Sequence, residues 1–90
     1  MMKIEEIKDA ILYILYESHV NIFNADDTPV SERIIKDAVS EDPLKVDAAL
    51  KRLLNEKLIT EIRIGGARGR LYFRITGEGV EAYEHKRTAA

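Results

Sequence analysis

The chain has 90 residues, of which 46% are hydrophobic and 33% charged, and it contains no cysteine. This length suits one domain, residues 1–90, and the composition excludes a disordered chain. The longest apolar run, Ala10 to Tyr16, has seven residues, whereas a membrane-spanning helix needs about 20. We therefore expect a single soluble, cytoplasmic domain that contacts no membrane.

The sequence offers little material for catalysis. Disulfides, thiolate metal sites and a cysteine nucleophile are excluded by composition. The two histidines, His19 and His85, are far apart and have no neighbouring ligands. The motifs GxSxG, HExxH and GxxxxGK[ST] do not occur. We expect no enzymatic activity, no metal and no cofactor.

The charges are distributed unevenly along the chain. Residues 1–42 carry four basic and ten acidic side chains, a net charge of −6. Residues 43–76 carry eight basic and three acidic side chains, a net charge of +5. A polyanionic partner responds to the local field more than to the overall charge of −2. The basic part of the chain therefore predicts contact with a polyanion.

An amphipathic helix is predicted over residues 3–18. Its isoleucines follow a helical stripe, at Ile4, Ile7, Ile11 and Ile14. Four further large side chains lie off this stripe, and exposing them would be costly for a monomer. We therefore predict a homodimer whose interface consists of Leu12, Tyr13, Leu15, Tyr16, Val80 and Tyr83. The alternative is that Val20, Ile22 and Phe23 fold back over these side chains.

A helix-turn-helix is predicted next. A short extended segment at residues 28–30 leads to Ser31, which suits the N-cap of a helix over residues 32–39. Asp42 and Pro43 then begin a third helix that continues to about residue 56. The predicted inner face of the second helix is Ile34, Ile35, Ala38 and Val39, and that of the third is Val46, Ala49, Leu50 and Leu53.

Two alternating segments, residues 60–64 and 70–75, predict a β-hairpin with a glycine-rich tip. Pairing Ile64 with Leu71 joins the face of Thr60, Ile62 and Ile64 to that of Leu71, Phe73 and Ile75. The same register sets Glu61 opposite Arg74 and leaves residues 65–70 as an exposed loop. Thr76 then begins a last helix that ends near His85, and residues 86–90 read as a disordered tail.

This order of elements predicts an α+β fold, the winged helix. In the helix-turn-helix mode the second helix of the motif enters the DNA major groove. Arginine or lysine can read guanine, asparagine can read adenine, and small apolar side chains can meet a thymine methyl. The predicted residues that contact double-stranded DNA are Leu44, Lys45, Ala48, Lys51, Arg52, Asn55, Arg63, Arg68 and Arg70.

Two segments carry a family resemblance, the stretch VDAALKRLLNEKLI at residues 46–59 and the stretch LYFRITGEG at residues 71–79. Together with the hairpin between them, they resemble the winged-helix transcriptional regulators of the MarR and PadR type. The resemblance implies a dimeric regulator that binds double-stranded DNA. A small-molecule effector site is not evident.

Two positions depart from the family pattern. Lys57 stands where the family usually has a glycine, so we expect the third helix to end differently. Ser40 and Glu41 replace the usual glycine and apolar residue of the turn.

A second function remains open from the sequence. Winged helices also serve as protein-interaction modules in larger assemblies, and the acidic first half of this chain fits that role. Asp47, on the predicted DNA-facing side of the third helix, mildly favours it, because a carboxylate facing phosphates weakens binding.

Overall fold

The structure, a computed structural model, describes residues 2–20 and 29–89. Within them the chain forms helix α1 and strand β1, the helices α2 and α3, the hairpin strands β2 and β3, and helix α4. Their bounds are Ile4–Val20 (α1), Val30–Ser31 (β1), Glu32–Val39 (α2), Pro43–Asn55 (α3), Ile59–Ile64 (β2), Arg70–Ile75 (β3) and Gly77–Ala89 (α4). Among the helices of these two ranges, none qualifies as a candidate membrane span.

Helix α1 lies at the centre of the molecule and contacts α2, α3, α4 and β3. Its isoleucine stripe is inward as predicted, with Ile7 and Ile11 fully buried. The expectation that the off-stripe side chains remain uncovered is wrong for Leu12, Leu15 and Tyr16, which are buried within the chain. A helix with neighbours on several sides can be apolar almost all round without a partner subunit. Ile22 and Phe23 lie outside the described residues.

Helices α2 and α3 begin at the N-caps that the sequence predicts, each with a hydrogen bond from a backbone amide to the capping side chain. The Ser31 hydroxyl accepts a hydrogen bond from the Ile34 amide at 3.2 Å. The Asp42 carboxylate accepts one from the Leu44 amide at 2.9 Å, directly before Pro43. The predicted inner face of α3 is confirmed, because the side chains that form it are all buried: Val46, Ala49, Leu50 and Leu53.

The inner face of α2 is narrower than predicted. Ile35 is fully buried and Val39 half-buried, but Ile34 and Ala38 are exposed. Positions four apart share a helical face, and the face of Ile34 and Ala38 is rotated by about 100° from that of Ile35 and Val39. Only one of these two faces can point into the core, and it is the face of Ile35 and Val39.

Two residues other than glycine adopt left-handed backbone at the ends of α2 and α3. Ser40 has a φ of 55° and Lys57 a φ of 62°. After α3, the Leu58 amide donates to the Leu53 carbonyl at 3.0 Å and the Lys57 amide to the Leu54 carbonyl at 3.1 Å. This is the bonding pattern that a glycine normally provides at a helix end. The expectation of a different helix end at Lys57 is therefore wrong.

The strands form one antiparallel sheet in the order β1-β3-β2. The predicted hairpin register is wrong by one residue: Ile64 pairs with Arg70 rather than Leu71, and Glu61 with Phe73 rather than Arg74. The loop therefore spans residues 65–69 and not 65–70.

The register has two physical causes. Ile59, directly before the predicted strand, pairs with Ile75, and both are buried, so the core face of β2 begins one position earlier. At the tip, Gly65 and Gly66 have φ values of 99° and 75°, which allow a five-residue closure through a short 3-10 turn. Consequently Ile62 and Ile64 lie on the sheet face away from Phe73, and Ile64 is exposed.

Helix α4 is longer than predicted. The Thr76 hydroxyl accepts a hydrogen bond from the Gly79 amide at 3.0 Å, as expected for a helix start. The helix continues to Ala89, so the predicted disordered tail is wrong for residues 86–89. Lys86 forms an ion pair with Asp9 of α1 at 2.7 Å, which ties this last part of α4 to the body of the domain. Ala90 lies outside the described residues.

Candidate nucleic-acid interface

The side of α3 opposite its buried stripe is open to solvent. Leu44 on this side is 76% exposed. Lys51, Arg52 and Asn55 are also exposed, whereas Lys45 and Ala48 are half-buried. None of the six predicted contact residues of α3 is fully buried: Leu44, Lys45, Ala48, Lys51, Arg52 and Asn55.

Two of the charges on α3 have partners inside the protein. Arg52 lies 3.5 Å from the Glu5 carboxylate of α1. Asp47 forms an ion pair with Lys36 of α2 at 3.0 Å. Lys51 forms no ion pair within residues 2–20 and 29–89. Within these residues, the positive charge of Lys51 is therefore not offset by an ion pair, whereas that of Arg52 is.

A groove of about 380 Å³ separates α3 from the hairpin, and we call it the α3 groove. Leu44, Ala48 and Lys51 line it from α3, so the exposed side of the helix forms one of its walls. Three carboxylates also line it, those of Glu32, Asp47 and Glu61. The α3 groove therefore combines an apolar floor with charges of both signs.

The wing, formed by β2, β3 and the loop of residues 65–69, presents arginines beside this groove. Arg68 and Arg70 are exposed, as predicted. Arg63 of β2 is also exposed, and its guanidinium donates to the Gly69 carbonyl at 3.2 Å. A Cβ at Gly69 would collide with the Ile64 carbonyl, so this position of the loop admits only glycine.

A second groove, of about 400 Å³, lies between the start of α2 and the wing, and we call it the wing groove. Arg63 and Arg70 line it from the wing and Arg33 lines it from α2. Arg33 is not among the predicted contact residues, because it lies in the acidic half of the chain. The sequence feature that could have placed Arg33 at the wing is the strand propensity of Val30. Strand β1 pairs with β3, and this pairing brings the start of α2 to the wing.

The ion pair of Lys36 has a clear electrostatic cause. The hydrogen bond to Asp47 raises the pKa of the Lys36 ammonium above its usual 10.5, burial opposes this rise, and the charge of Glu32 adds to it. Glu32 lies 3.6 Å from the same ammonium. Lys36 therefore carries a positive charge at neutral pH and partly offsets the charges of Glu32 and Asp47, two of the three carboxylates of the α3 groove.

The predicted dimer interface does not form one exposed patch. Tyr13 is 52% exposed, whereas the Tyr16 ring is buried and packs against Tyr83 at a centroid distance of 4.6 Å. Tyr83 also lies 6.4 Å from the Tyr13 ring, and Val80 is half-buried against the core. Of the six predicted residues, Tyr13 is the one with a largely exposed side chain.

Within residues 2–20 and 29–89, no three histidine, aspartate or glutamate side chains come together in a way that could hold a metal ion.

No protein-family model matches this chain. No curated protein sequence matches it either.

Solved structures do match. A ZitR variant from Lactococcus lactis in its apo form aligns with a TM-score of 0.72 at 21% identity, over 96% of this chain and 58% of that one. A Ralstonia eutropha protein aligns with a TM-score of 0.74 at 20% identity, over 90% and 94% of the two chains. MepR of Staphylococcus aureus in complex with DNA aligns with a TM-score of 0.73 at 18% identity, over 91% and 60%.

The chain therefore spans about three fifths of the ZitR and MepR chains that it matches. At these identities the likeness concerns the fold. MepR is a transcription regulator of a multidrug efflux pump, and this chain shares its architecture of helix-turn-helix and hairpin. The chain has the winged-helix fold, as the sequence predicts, and in this fold it is similar to the transcription regulator MepR.

Proposed function

We propose that this chain binds double-stranded DNA as a transcription regulator, with α3 in the major groove and the wing on the backbone or in the minor groove. The observation that carries the proposal is the continuity of the two grooves, which share Glu32 and Leu71 in their linings. Arg63 and Arg70 of the wing therefore line a groove that adjoins the groove lined by the exposed side of α3. The MepR–DNA complex supports the proposal by showing a similar fold on DNA.

The residues of α3 have distinct roles in this proposal. Lys51 and Lys45 contact phosphates or the acceptors of guanine, and Asn55 bonds adenine. Leu44 and Ala48 meet thymine methyl groups, for which the short side chain of Ala48 allows a close approach. Arg52 contributes less than Lys51, because Glu5 already offsets its charge. The proposal gives the chain no catalytic role.

The DNA-bound form in this proposal is a homodimer. The support is the exposed Tyr13 on α1, close to Tyr83 of α4, which offers aromatic surface for a contact between two copies. A twofold axis there presents two α3 helices to successive major grooves about 34 Å apart and so requires a palindromic site.

Binding to random-sequence duplex DNA at several salt concentrations tests the proposal without knowledge of the target site. The logarithm of the binding constant should fall linearly with the logarithm of salt concentration, by about 0.9 per phosphate neutralised. Lys51→Ala should reduce both affinity and sequence preference. Arg68→Ala with Arg70→Ala should weaken binding to all sequences alike. Absence of DNA binding at low salt would refute the proposal.

A second function, a protein-interaction module, is favoured by one observation. The α3 groove carries three carboxylates, and Glu61 forms no ion pair within residues 2–20 and 29–89. An acidic, partly apolar groove suits a basic peptide better than a phosphate backbone. A flat salt response with duplex DNA would favour this function.

A further inference from the structure

Strand β2 has one edge that carries no strand. It pairs with β3 along one side, and within residues 2–20 and 29–89 no strand pairs with its other side. The pairing with β3 is continuous over all six residues, so no bulge turns the edge away. The strand also lacks proline and lysine, which commonly protect such an edge. Its outer backbone groups are therefore available to a further strand.

The side chains of β2 alternate between apolar and charged. Ile62 and Ile64 lie on the sheet face away from the core, where Ile64 is 52% exposed. Glu61 and Arg63 lie on the opposite face and are both exposed. Glu61 forms no ion pair within the described residues. The Arg63 guanidinium donates to the Gly69 carbonyl at 3.2 Å, which leaves further donors for another acceptor.

This pattern is complementary to itself in one antiparallel register. A twofold axis normal to the sheet keeps the faces of two copies aligned, so each residue opposes only positions of its own face. With Ile62 opposite Ile62 of a second copy, Glu61 stands opposite Arg63 of that copy, and this pair occurs twice. Shifting the centre by one position opposes either two copies of Glu61 or two copies of Arg63. Like charges directly opposed destabilise a strand pair, so charge selects the register centred at Ile62.

We propose that the outer edge of β2 pairs with β2 of a second copy of this chain, in the antiparallel register centred at Ile62. The contact joins two three-stranded sheets into one and gives Glu61 a partner for its charge. It is separate from the contact of Tyr13 on α1 in the proposed DNA-bound homodimer, and it does not depend on DNA binding.

A covalent trap tests the contact, because an edge of six residues is smaller than a standard interface and associates weakly. The chain contains no cysteine, so one introduced thiol reports one position. Directly opposed Cα atoms of an antiparallel pair lie about 4.5–5.5 Å apart, within the range of a disulfide. With oxidised glutathione as the oxidant and no DNA present, Ile62→Cys should therefore form a disulfide-linked dimer.

The matched control is Ile64→Cys, which places the thiol on the same face at a more exposed position. In the proposed register the two copies of position 64 lie four residues apart along the strands, or about 14 Å. Ile62→Cys should cross-link roughly tenfold faster, because a held thiol has a higher effective concentration than a colliding one. Non-reducing electrophoresis measures the rates, and circular dichroism checks that both variants fold.

Charge reversal in the Ile62→Cys chain supplies a second readout. Adding Arg63→Glu opposes carboxylates across the contact, and adding Glu61→Arg opposes guanidinium groups, so each of these chains alone should lose the fast cross-linking. A mixture of the two restores both ion pairs and should yield the mixed dimer, which mass spectrometry identifies.

Equal rates for Ile62→Cys and Ile64→Cys, or cross-linking that neither charge reversal slows, would overturn the pairing of β2 with itself. The edge would then be left to an extended segment of another protein. Neither result bears on the proposed function, since the salt dependence of DNA binding is measured separately. Absence of DNA binding would likewise leave the expected cross-linking unchanged.

Discussion

Lys36 of α2 joins Asp47 of α3 by an ion pair of 3.0 Å, within the helix-turn-helix and at the edge of the α3 groove. The same ammonium lies 3.6 Å from Glu32, which also lines that groove. A carboxylate that faces a phosphate backbone opposes binding. Lys36 therefore reduces the net negative charge at the α3 groove without itself lining it.

Lys36→Met should weaken DNA binding by about 1 kcal/mol, or about fivefold, because Asp47 and Glu32 then face the phosphates without compensation. Asp47→Asn in the same chain should restore part of this loss. Fluorescence anisotropy with the four members of the double-mutant cycle measures the coupling. An equal loss from Lys36→Met with and without the Asp47→Asn substitution would contradict the mechanism.

The stability of the protein should decline at alkaline pH. Burial lowers the pKa of the Lys8 ammonium, but the hydrogen bond and charge of Glu56, with the charge of Glu5, outweigh this and raise the pKa above 10.5. Lys8 is 8% exposed and lies 2.8 Å from Glu56. A raised folded-state pKa gives stability that is complete below pH 10.5 and lost as the pH rises through the folded value.

Urea unfolding of the wild type and Lys8→Met between pH 7 and 11 measures this dependence. The decline above pH 10.5 should be smaller in Lys8→Met, since one of the two lysines with a raised pKa has then been removed. Parallel stability curves for the two proteins would show that the Lys8 ion pair contributes nothing.

Glycine should stabilise the end of α3. Lys57 has a φ of 62°, a conformation that costs a side chain roughly 1–2 kcal/mol and glycine almost nothing. Glycine loses some of this gain through the freedom of the unfolded chain, so Lys57→Gly should raise the unfolding free energy by about 0.5–1 kcal/mol. Thermal unfolding measures it.

The matched control is Glu81→Gly, an exposed position inside α4, where glycine should lower stability by about 1 kcal/mol. A loss of stability in both variants would mean that the left-handed residue carries no strain.

Substitutions on α1 should separate folding from assembly. Leu12 is 5% exposed, so Leu12→Asp should unfold the domain, at a cost above about 3 kcal/mol. Tyr13 is 52% exposed, so Tyr13→Asp should remain folded and lower the dimer fraction. Circular dichroism reports the fold and light scattering the mass. A wild type of 10.2 kDa at tens of micromolar would refute the homodimer.

Much of the fold could be predicted because its determinants are local. The caps at Ser31, Asp42 and Thr76 act within three residues of themselves, and the buried stripe of α3 follows from helical spacing alone. The hairpin register could not be predicted from charge and face matching, because the buried pair of Ile59 and Ile75 decides it.

The candidate site residues that lie on a single helix could be predicted from the sequence. Those that come together from several helices and strands could not. The outward residues of α3 can be read from a helical wheel. Arg33 joins the wing through the pairing of β1 with β3, a contact between distant parts of the chain. The burial of Leu12 and Leu15 likewise depends on helices and strands that surround α1 on several sides.

Strand β3 hydrogen-bonds to β1 on one edge and to β2 on the other. The wing strands and the start of the helix-turn-helix are thus joined by one sheet, and the separation between the start of α2 and the wing strands is set before any ligand arrives. In the proposed complex, the duplex therefore has to adapt its groove width to the protein. We expect flexible pyrimidine–purine steps to be selected at base pairs that no side chain touches, so that part of the recognition is mechanical.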